Sequence, residues 1–268
     1  MPKTNHRAAE QNQKDKNKPP LVLITGASGG FGCEFARQLE NRGYRLLLHG
    51  RDKPRMQMTL HALKQPKAHR CIFADISIDS ERAAFIDEVK QHSELVGLVN
   101  NAGFGVWGAF ERREINPQMG VLLTDLVAPV DITHALLPTL RKNSGFVINV
   151  SSLAGEMPLP YMSTYAAAKA GLTWWSEAMR AEIAHEVRVV TLAPGPSPTG
   201  FRDVSGMPEG PGSAFRSRAR LIVEQGLKQL DTGGGFCVPG KRHKLLYFMQ
   251  KIMPRRLAMQ LMLRYLRH

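Results

Sequence analysis

Cysteine is scarce in this chain, and its spacing argues against a domain stabilised by disulfides or by zinc. The 268 residues include three widely separated cysteines, Cys33, Cys71 and Cys237, and no Cys-x-x-Cys pair. The nine histidines form no His-x-x-x-His pair. We therefore expect no disulfide framework, no zinc site and no other structural metal.

Long apolar runs are also missing. A membrane-spanning helix needs roughly 20 consecutive apolar residues, and no stretch of this chain approaches that length. Residues 1–20 are polar, lack the apolar stretch of a signal peptide and end in two prolines. We expect this segment to be a disordered leader and the protein to be cytoplasmic.

Acidic residues are absent from residues 241–268, which hold eight of the lysines and arginines behind the net charge of +13. Leu, Met and Ile stand between these cations, a pattern that predicts a basic amphipathic helix, or a helix pair broken at Pro254. Such a tail can lie on an anionic membrane surface, or it can pack on the protein's own core or in a dimer. Residues 21–240 are nearly neutral and offer no continuous basic track, so we expect no nucleic-acid partner.

Short apolar segments alternate with helical patterns throughout residues 21–240. This alternation predicts an α/β fold, a single domain whose doubly wound parallel sheet binds ligands beyond the carboxyl ends of its strands. The predicted strands are residues 21–25, 45–49, 70–74, 96–99, 145–150, 187–192 and 235–238.

A glycine-rich turn follows the first predicted strand and opens a helix. It contains Gly26, Ser28, Gly30, Phe31 and Gly32, an arrangement that lets backbone N–H groups approach a pyrophosphate at the positive end of the helix. A merely tight turn is one alternative. Another is the Gly-x-Ser-x-Gly nucleophile elbow of an α/β-hydrolase, although such elbows normally follow several strands and only one precedes Ser28.

Three further strand ends carry candidate cofactor contacts. Arg51 follows the second strand, where an acid would bind the ribose of NAD, and an arginine there favours the 2′-phosphate of NADP. Asp75 ends the third strand, where it can accept from the adenine amino group or cap the next helix. The fourth strand runs into Asn101, Ala102 and Gly103, small residues beside which a cofactor can lie close to the backbone.

The segment 151–171 carries the predicted chemistry. Tyr165 and Lys169 are four residues apart in a helical pattern, so both side chains share one face. A nearby ammonium favours the phenolate, and we expect it to lower the pKa of Tyr165 towards neutrality, while Ser152 holds a C–O group against the phenol. Tyr247 and Lys251 repeat the spacing without a serine thirteen residues upstream.

The chain resembles the short-chain dehydrogenase/reductase family over roughly residues 20–240. The motifs that carry the resemblance are the glycine turn 25–32, Asp75, Asn-Asn-Ala-Gly at 100–103, Ser152, the Tyr165/Lys169 pair, and Pro194, Gly195 and Thr199. The resemblance implies a seven-stranded Rossmann-type sheet, hydride transfer between NAD(P) and a carbonyl/alcohol pair, and a homodimer or homotetramer. It implies that Tyr165 is the acid/base, that Ser152 positions the substrate, and that Lys169 also binds the nicotinamide ribose.

One residue departs from the family pattern. Where the family has an asparagine that anchors a proton-relaying water, this chain has Asp125. The Asp125 charge would stabilise the ammonium of Lys169 and slow the relay. We expect an NADP(H)-dependent reductase of an apolar or lipid-like carbonyl, with NAD the less suitable cofactor; the alternative is a non-catalytic NADP-binding regulator or scaffold.

The expected substrate contacts lie in three segments. They are residues 104–110, residues 153–162 and the Gly- and Pro-rich loop 196–213, which is long enough to be a mobile lid. Their Met, Phe and Trp content predicts an apolar pocket.

Overall fold

A parallel sheet of seven strands lies at the centre of the computed structural model, which describes residues 19–208 and 216–266. The strand order is β3-β2-β1-β4-β5-β6-β7, as expected for a doubly wound Rossmann-type sheet. The order reverses between β1 and β4, so their carboxyl ends border the crevice in which such sheets bind ligands. The strands are β1 Leu21–Ile24, β2 Arg45–Gly50, β3 Arg70–Phe73, β4 Leu95–Asn100, β5 Phe146–Val150, β6 Arg188–Leu192 and β7 Gly235–Cys237.

Helices cover both faces of this sheet. Helices α1, α2 and α8 pack on one face, and α3, α5 and α6 pack on the other. The helices are α1 Gly30–Asn41, α2 Lys53–His61, α3 Asp79–Lys90, α4 Ile115–Leu122, α5 Ala128–Lys142, α6 Ser163–Ile183, α7 Phe201–Ser205, α8 Ala219–Asp231, α9 Lys241–Ile252 and α10 Arg255–Leu266. Residues 1–18 of the predicted leader and residues 209–213 of the predicted lid lie outside the described part of the chain.

Strand β1 shows why a strand buried on both faces consists of consecutive apolar residues. Successive side chains of a strand point to opposite faces, so Val22 and Ile24 join one core cluster while Leu21 and Leu23 join the other. All four side chains are buried. Because both faces of β1 are covered by helices, no position in it needs a polar residue.

A long helical segment, residues 115–142, joins α4 to α5 through a π-helical turn, Leu123–Val127. Its length and composition are sufficient for a membrane crossing, and among the described helices it alone meets that criterion. The segment includes Asp125 and Asp131, which interrupt its apolar run. Its buried residues, including Ile132 and Leu136, pack on the sheet, so in this fold it is a core helix.

The tail forms two helices separated at Pro254, as the sequence predicts. Its first helix, α9, packs on the domain: His243 is fully buried, and Leu246 and Tyr247 contact a small core cluster around Leu153. Of the alternatives that the sequence leaves open, the structure therefore supports packing on the protein's own core for this face of α9.

Because His49 is buried, we expect the folded protein to lose stability in acid. Its ring lies buried against Phe85, and burial lowers its pKa to about 4 from an ordinary 6.5. The folded state thus disfavours the proton that the unfolded chain binds below pH 6.5. As the pH falls from 6.5 to 4, the free energy of unfolding therefore decreases by about 3 kcal/mol. Above pH 6.5 the ring is neutral in both states, and the full stability is retained.

Urea unfolding of the wild type and of His49→Gln across this range measures the effect. Glutamine can still donate to the Ala74 carbonyl, which His49 Nε2 contacts at 3.1 Å, but it does not titrate. The variant is expected to show a flatter pH dependence, whereas His61→Gln, at an exposed position, should behave like the wild type. An unchanged acid loss in His49→Gln would contradict this assignment.

Candidate active site

The predicted catalytic side chains meet beyond the carboxyl end of β5. Ser152 follows that strand by two residues, Tyr165 and Lys169 lie in the first turns of α6, and Asp125 lies in the π-helical turn. The Ser152 side chain lies near enough to the Tyr165 phenol to lower its pKa, and the Ser152 hydroxyl itself donates to the Pro194 carbonyl at 3.5 Å. The structure thus brings together four residues that are spread over 45 positions of the sequence.

Lys169 is held in a buried position by two acceptors. Its Nζ donates to the Val150 carbonyl at 3.0 Å and lies 3.1 Å from Asp125 Oδ2. The Lys169 side chain is 5% exposed and that of Asp125 is fully buried. A buried cation needs a partner of opposite charge, and here the Asp125 carboxylate contacts the ammonium directly.

The backbone explains how Asp125 reaches this position. A π-helical turn adds a residue to the helix and re-aims its side chains, and Asp125 Oδ1 accepts from the Phe104 N–H at 3.0 Å. Gly103 allows this approach, since a Cβ there would lie 2.7 Å from Asp125 Oδ2. Complete burial raises the pKa of Asp125, and the Lys169 ammonium opposes that rise.

The electrostatics around Tyr165 differ from the sequence-based expectation. The pKa of Tyr165 lies above its ordinary value, because burial and the negative charge of Asp125 both raise it and the Ser152 hydrogen bond only partly offsets them. The Lys169 ammonium lies 5.8 Å from the centre of the Tyr165 ring and is paired with Asp125. The expected lowering of this pKa is therefore wrong for this structure, in which the phenol keeps its proton at neutral pH.

The glycine turn has the features needed to bind a dinucleotide pyrophosphate. Helix α1 begins after Gly29 with no side-chain cap and no acidic residue in its first turn, so its N–H groups face an open end. At Gly30 a Cβ would lie 2.7 Å from that of Thr199, which brings the loop after β6 directly over the turn. Gly26, Ser28, Phe31 and Gly32 belong to the same turn.

Asn101 and Ala102 attach the fourth strand end to this turn. Asn101 Nδ2 donates to the carbonyls of Thr25 and Gly26, and the Ala102 N–H donates to Thr25 Oγ1 at 3.0 Å. A Cβ at Gly26 would lie 2.7 Å from Ala102 Cα. These contacts hold the walls of the crevice between β1 and β4 in place. Thr25 is therefore a structural residue of the site, and the hydrogen bonds of its hydroxyl cannot be read from the spacing of residues in the sequence.

Arg51 and Asp75, predicted to contact the adenosine part of a cofactor, lie side by side and form an ion pair. Arg51 Nη1 is 2.7 Å from Asp75 Oδ2, and the arginine side chain is 59% exposed. Burial raises the pKa of Asp75, but hydrogen bonds from Ser77 and Arg51 outweigh it and hold that pKa below its usual range. Asp75 accepts from Ser77 and does not cap α3, which begins at Asp79.

The three predicted substrate segments contact one another, and one of them reaches Tyr165 through Phe201. The Phe201 ring lies 5.0 Å from the Tyr165 ring, and Trp107 lies 5.6 Å from Tyr161. A Cβ at Gly105 would lie 2.5 Å from Met162 Cε and 2.8 Å from Phe201. The walls beside the phenol are therefore apolar and aromatic, and the short helix α7 covers it, a contact that only the fold reveals.

The second Tyr-x-x-x-Lys pair has a different environment. Tyr247 packs on Phe236 with ring centres 5.4 Å apart, and Lys251 Nζ lies 3.1 Å from Glu156 Oε2. The fold thus separates two sequence patterns that look alike.

Comparison with known proteins identifies the family. The model of the short chain dehydrogenase family matches residues 20–207. The chain is 34% identical over 182 residues to ketoacyl reductase HetN of a Nostoc species, covering 65% of this chain and 62% of that protein. It is 32% identical over 192 residues to 3-ketodihydrosphingosine reductase of Bacteroides thetaiotaomicron, covering 69% and 67%.

A solved structure supports the same assignment at the level of the fold. A short-chain dehydrogenase from Sphingobium yanoikuyae in complex with NADPH has a TM-score of 0.75 and 24% identity, over 90% of this chain and 95% of that one. The chain spans about three fifths of the length of the ketoacyl reductase it matches. This chain belongs to the short-chain dehydrogenase/reductase family.

Proposed function

We propose that the protein is an NADPH-dependent carbonyl reductase in which Tyr165 donates the proton. The observation that carries the proposal is the grouping of Ser152, Tyr165 and Lys169, with Lys169 Nζ 5.8 Å from the centre of the Tyr165 ring, beside a glycine turn suited to pyrophosphate. A phenol whose pKa is raised is protonated at neutral pH. That is the form needed to give a proton to the oxygen of a carbonyl as it is reduced.

Each residue has a physical role in this proposal. NADPH, when bound, supplies the hydride. Ser152 holds the carbonyl oxygen, and Tyr165 protonates it as negative charge develops there. Lys169 holds the nicotinamide ribose, while the turn 26–32, residues 101–103 and the loop of Pro194, Gly195 and Thr199 line the cofactor.

A non-catalytic NADP-binding regulator is the competing function, and Asp125 is the feature that favours it. NADPH oxidation by the wild type, measured against aldehydes and ketones of graded chain length, separates the two. The reductase proposal requires turnover that rises with chain length. NADPH binding without turnover on any of these carbonyls would support the regulator.

The proposed substrate is apolar or lipid-like. Phe201 packs on the Tyr165 ring, Met162 lies with Phe201 beside Gly105, and Trp107 packs on Tyr161, so the neighbouring walls are largely apolar. The names of two relatives, a ketoacyl reductase and a 3-ketodihydrosphingosine reductase, describe a keto group on an acyl compound and one on a sphingoid base. A pocket of this kind binds an acyl chain through burial of its methylene groups.

The preference for NADP over NAD is proposed to rest on Arg51. Its guanidinium is largely exposed at the end of β2, where it can form paired hydrogen bonds with a 2′-phosphate.

Arg51→Gln is expected to weaken NADPH binding roughly tenfold, the effect of losing one charge-assisted contact, and to leave NADH binding unchanged. Fluorescence titration measures both constants. The control is Arg70→Gln, at an exposed position at the start of β3. Equal loss of NADH affinity would contradict the role.

The outward face of α9 is proposed to contact an anionic membrane surface. Leu245, Phe248, Met249 and Ile252 recur at helical spacing and are 43–66% exposed. Exposed cations of the same tail, among them Lys241 and Lys244, can attract anionic headgroups. The cytoplasmic location and the homodimer or homotetramer stay predictions, the latter measurable by light scattering.

Vesicle flotation tests the membrane contact. Deleting the whole tail is unsuitable, because buried His243 belongs to it. A variant with Leu245, Phe248 and Ile252 changed to serine is expected to lose flotation with phosphatidylserine vesicles, whereas serines at Met58 and Ile78, exposed elsewhere, should not matter. Flotation of the tail variant at the wild-type level would contradict the proposal.

A further inference from the structure

The inward face of α9 contacts both loops that border the candidate active site. His243 Nδ1 accepts from the Gly195 N–H at 3.2 Å, in the loop that follows β6. Lys251, two turns further along the helix, pairs with Glu156 in the 3₁₀ turn Leu153–Glu156. Neither contact follows from the sequence, since 48 residues separate the first pair and 95 the second.

Lys251 is 44% exposed, but its Nζ contacts a buried carboxylate and lies beside two aromatic rings. Its Nζ is 3.1 Å from Glu156 Oε2, 5.2 Å from the centre of the Tyr247 ring and 6.0 Å from that of Trp174. The Glu156 side chain is only 6% exposed, so its charge depends on this cation for compensation. The Glu156 carboxylate in turn raises the pKa of Lys251. The pair therefore differs from an ordinary surface ion pair, which contributes little.

A short covalent and hydrogen-bonded path joins this pair to Ser152. Ser152 caps the 3₁₀ turn, its Oγ accepting from the Ala154 N–H at 3.1 Å, and Glu156 is the last residue of that turn. Gln250, next to Lys251, donates to Met157 Sδ at 3.2 Å. A shift of Glu156 would therefore move the turn that orients the Ser152 hydroxyl.

We propose that Lys251 is a positioning residue, which holds the turn after Ser152 through Glu156 and so fixes the Ser152 hydroxyl against Tyr165. The tail helix is then part of the active-site framework, with its outward face free for other contacts. This inference rests on the proposed function, in which Ser152 places the carbonyl oxygen. Small misplacement of such a group lowers turnover strongly.

Amide hydrogen exchange and kinetics on the same variants test the proposal. In Lys251→Met and in Glu156→Gln, we expect the backbone amides of residues 153–157 to exchange faster than in the wild type. We expect kcat/KM for the carbonyl substrate to fall about tenfold, while the NADPH affinity stays within twofold of the wild type. Combining the two changes should add nothing further. Lys251→Arg keeps the charge and should retain most of the activity. Lys244→Met is the matched control, exposed two turns earlier on the helix.

Each arm can overturn the proposal separately. Unchanged exchange at residues 153–157 in Lys251→Met would refute it whatever the activity, and faster exchange with unchanged kcat/KM would refute a link to Ser152. Similar effects in Lys244→Met would show a general loss of helix packing. A wild type without turnover would refute the proposed function, while the exchange data would still decide whether Lys251 orders the turn.

Discussion

Tyr165→Phe is expected to lower kcat about 10³-fold, the effect of losing a positioned proton donor. The substitution removes one oxygen and keeps the aromatic ring that packs on Phe201. The Ser152 hydroxyl would still donate a hydrogen bond to the carbonyl oxygen, but as an aliphatic alcohol it is too weak an acid to transfer its proton. Steady-state NADPH oxidation measures the loss, and NADPH binding should stay within twofold of the wild type, since the pyrophosphate contacts lie in the turn 26–32.

The matched control is Tyr44→Phe. Tyr44 packs on Phe146 with ring centres 6.1 Å apart, away from Ser152 and Lys169, and its hydroxyl has no part in the proposed chemistry. The control should retain wild-type turnover. A Tyr165→Phe enzyme with wild-type kcat would exclude the phenol as the proton donor.

Asp125→Asn is expected to preserve or raise turnover while moving its pH dependence and weakening the fold. The Asp125 charge raises the pKa of Tyr165, so removing that charge lowers it. Reduction requires the protonated phenol, and its rate will therefore begin to fall at a lower pH in the variant. Alcohol oxidation requires the phenolate, and its rate will begin to rise at a lower pH.

The same substitution leaves the Lys169 ammonium buried without its anion. Breaking a buried ion pair from one side costs about 3 kcal/mol in the free energy of unfolding, although the asparagine oxygen can still accept from Phe104. Urea unfolding measures this cost, and pH-rate profiles in both directions measure the shift. Asp131→Asn, on the same long helix but paired with Arg82, should leave the profiles unchanged. A hundredfold loss of turnover in Asp125→Asn would show that the carboxylate itself takes part.

Sequence patterns were sufficient to predict the sheet and the grouping of the site. Parallel strands end at one edge, so the glycine turn, Asn101, Ser152 and Arg51 had to lie near one another once the alternation of strands and helices was recognised. The strand bounds differ from prediction by one residue at most, because the apolar runs are buried on both faces and end where the chain leaves the sheet.

Other features depend on contacts that no spacing encodes. The π-helical turn places Asp125 in direct contact with Lys169, and the Asp125 charge, which the sequence predicted to act on the ammonium, also raises the pKa of Tyr165 and so reverses its expected shift. Phe201, at the start of α7, packs on the Tyr165 ring although 36 residues separate the two in the sequence. His243 and Lys251 meet residues 48 and 95 positions away, a pairing set by the packing of α9 on the domain.

The central claim is hydride transfer from NADPH to a carbonyl carbon with Tyr165 as proton donor, and isotope transfer tests it most directly. NADPH dideuterated at the reactive nicotinamide carbon is incubated with a long-chain ketone and the enzyme, and the product is analysed by mass spectrometry. We expect an alcohol with a single deuterium on the carbinol carbon, formed by the wild type and nearly absent with Tyr165→Phe. Bound NADPH that passes no deuterium to any carbonyl tested, or equal labelling by both enzymes, would contradict it.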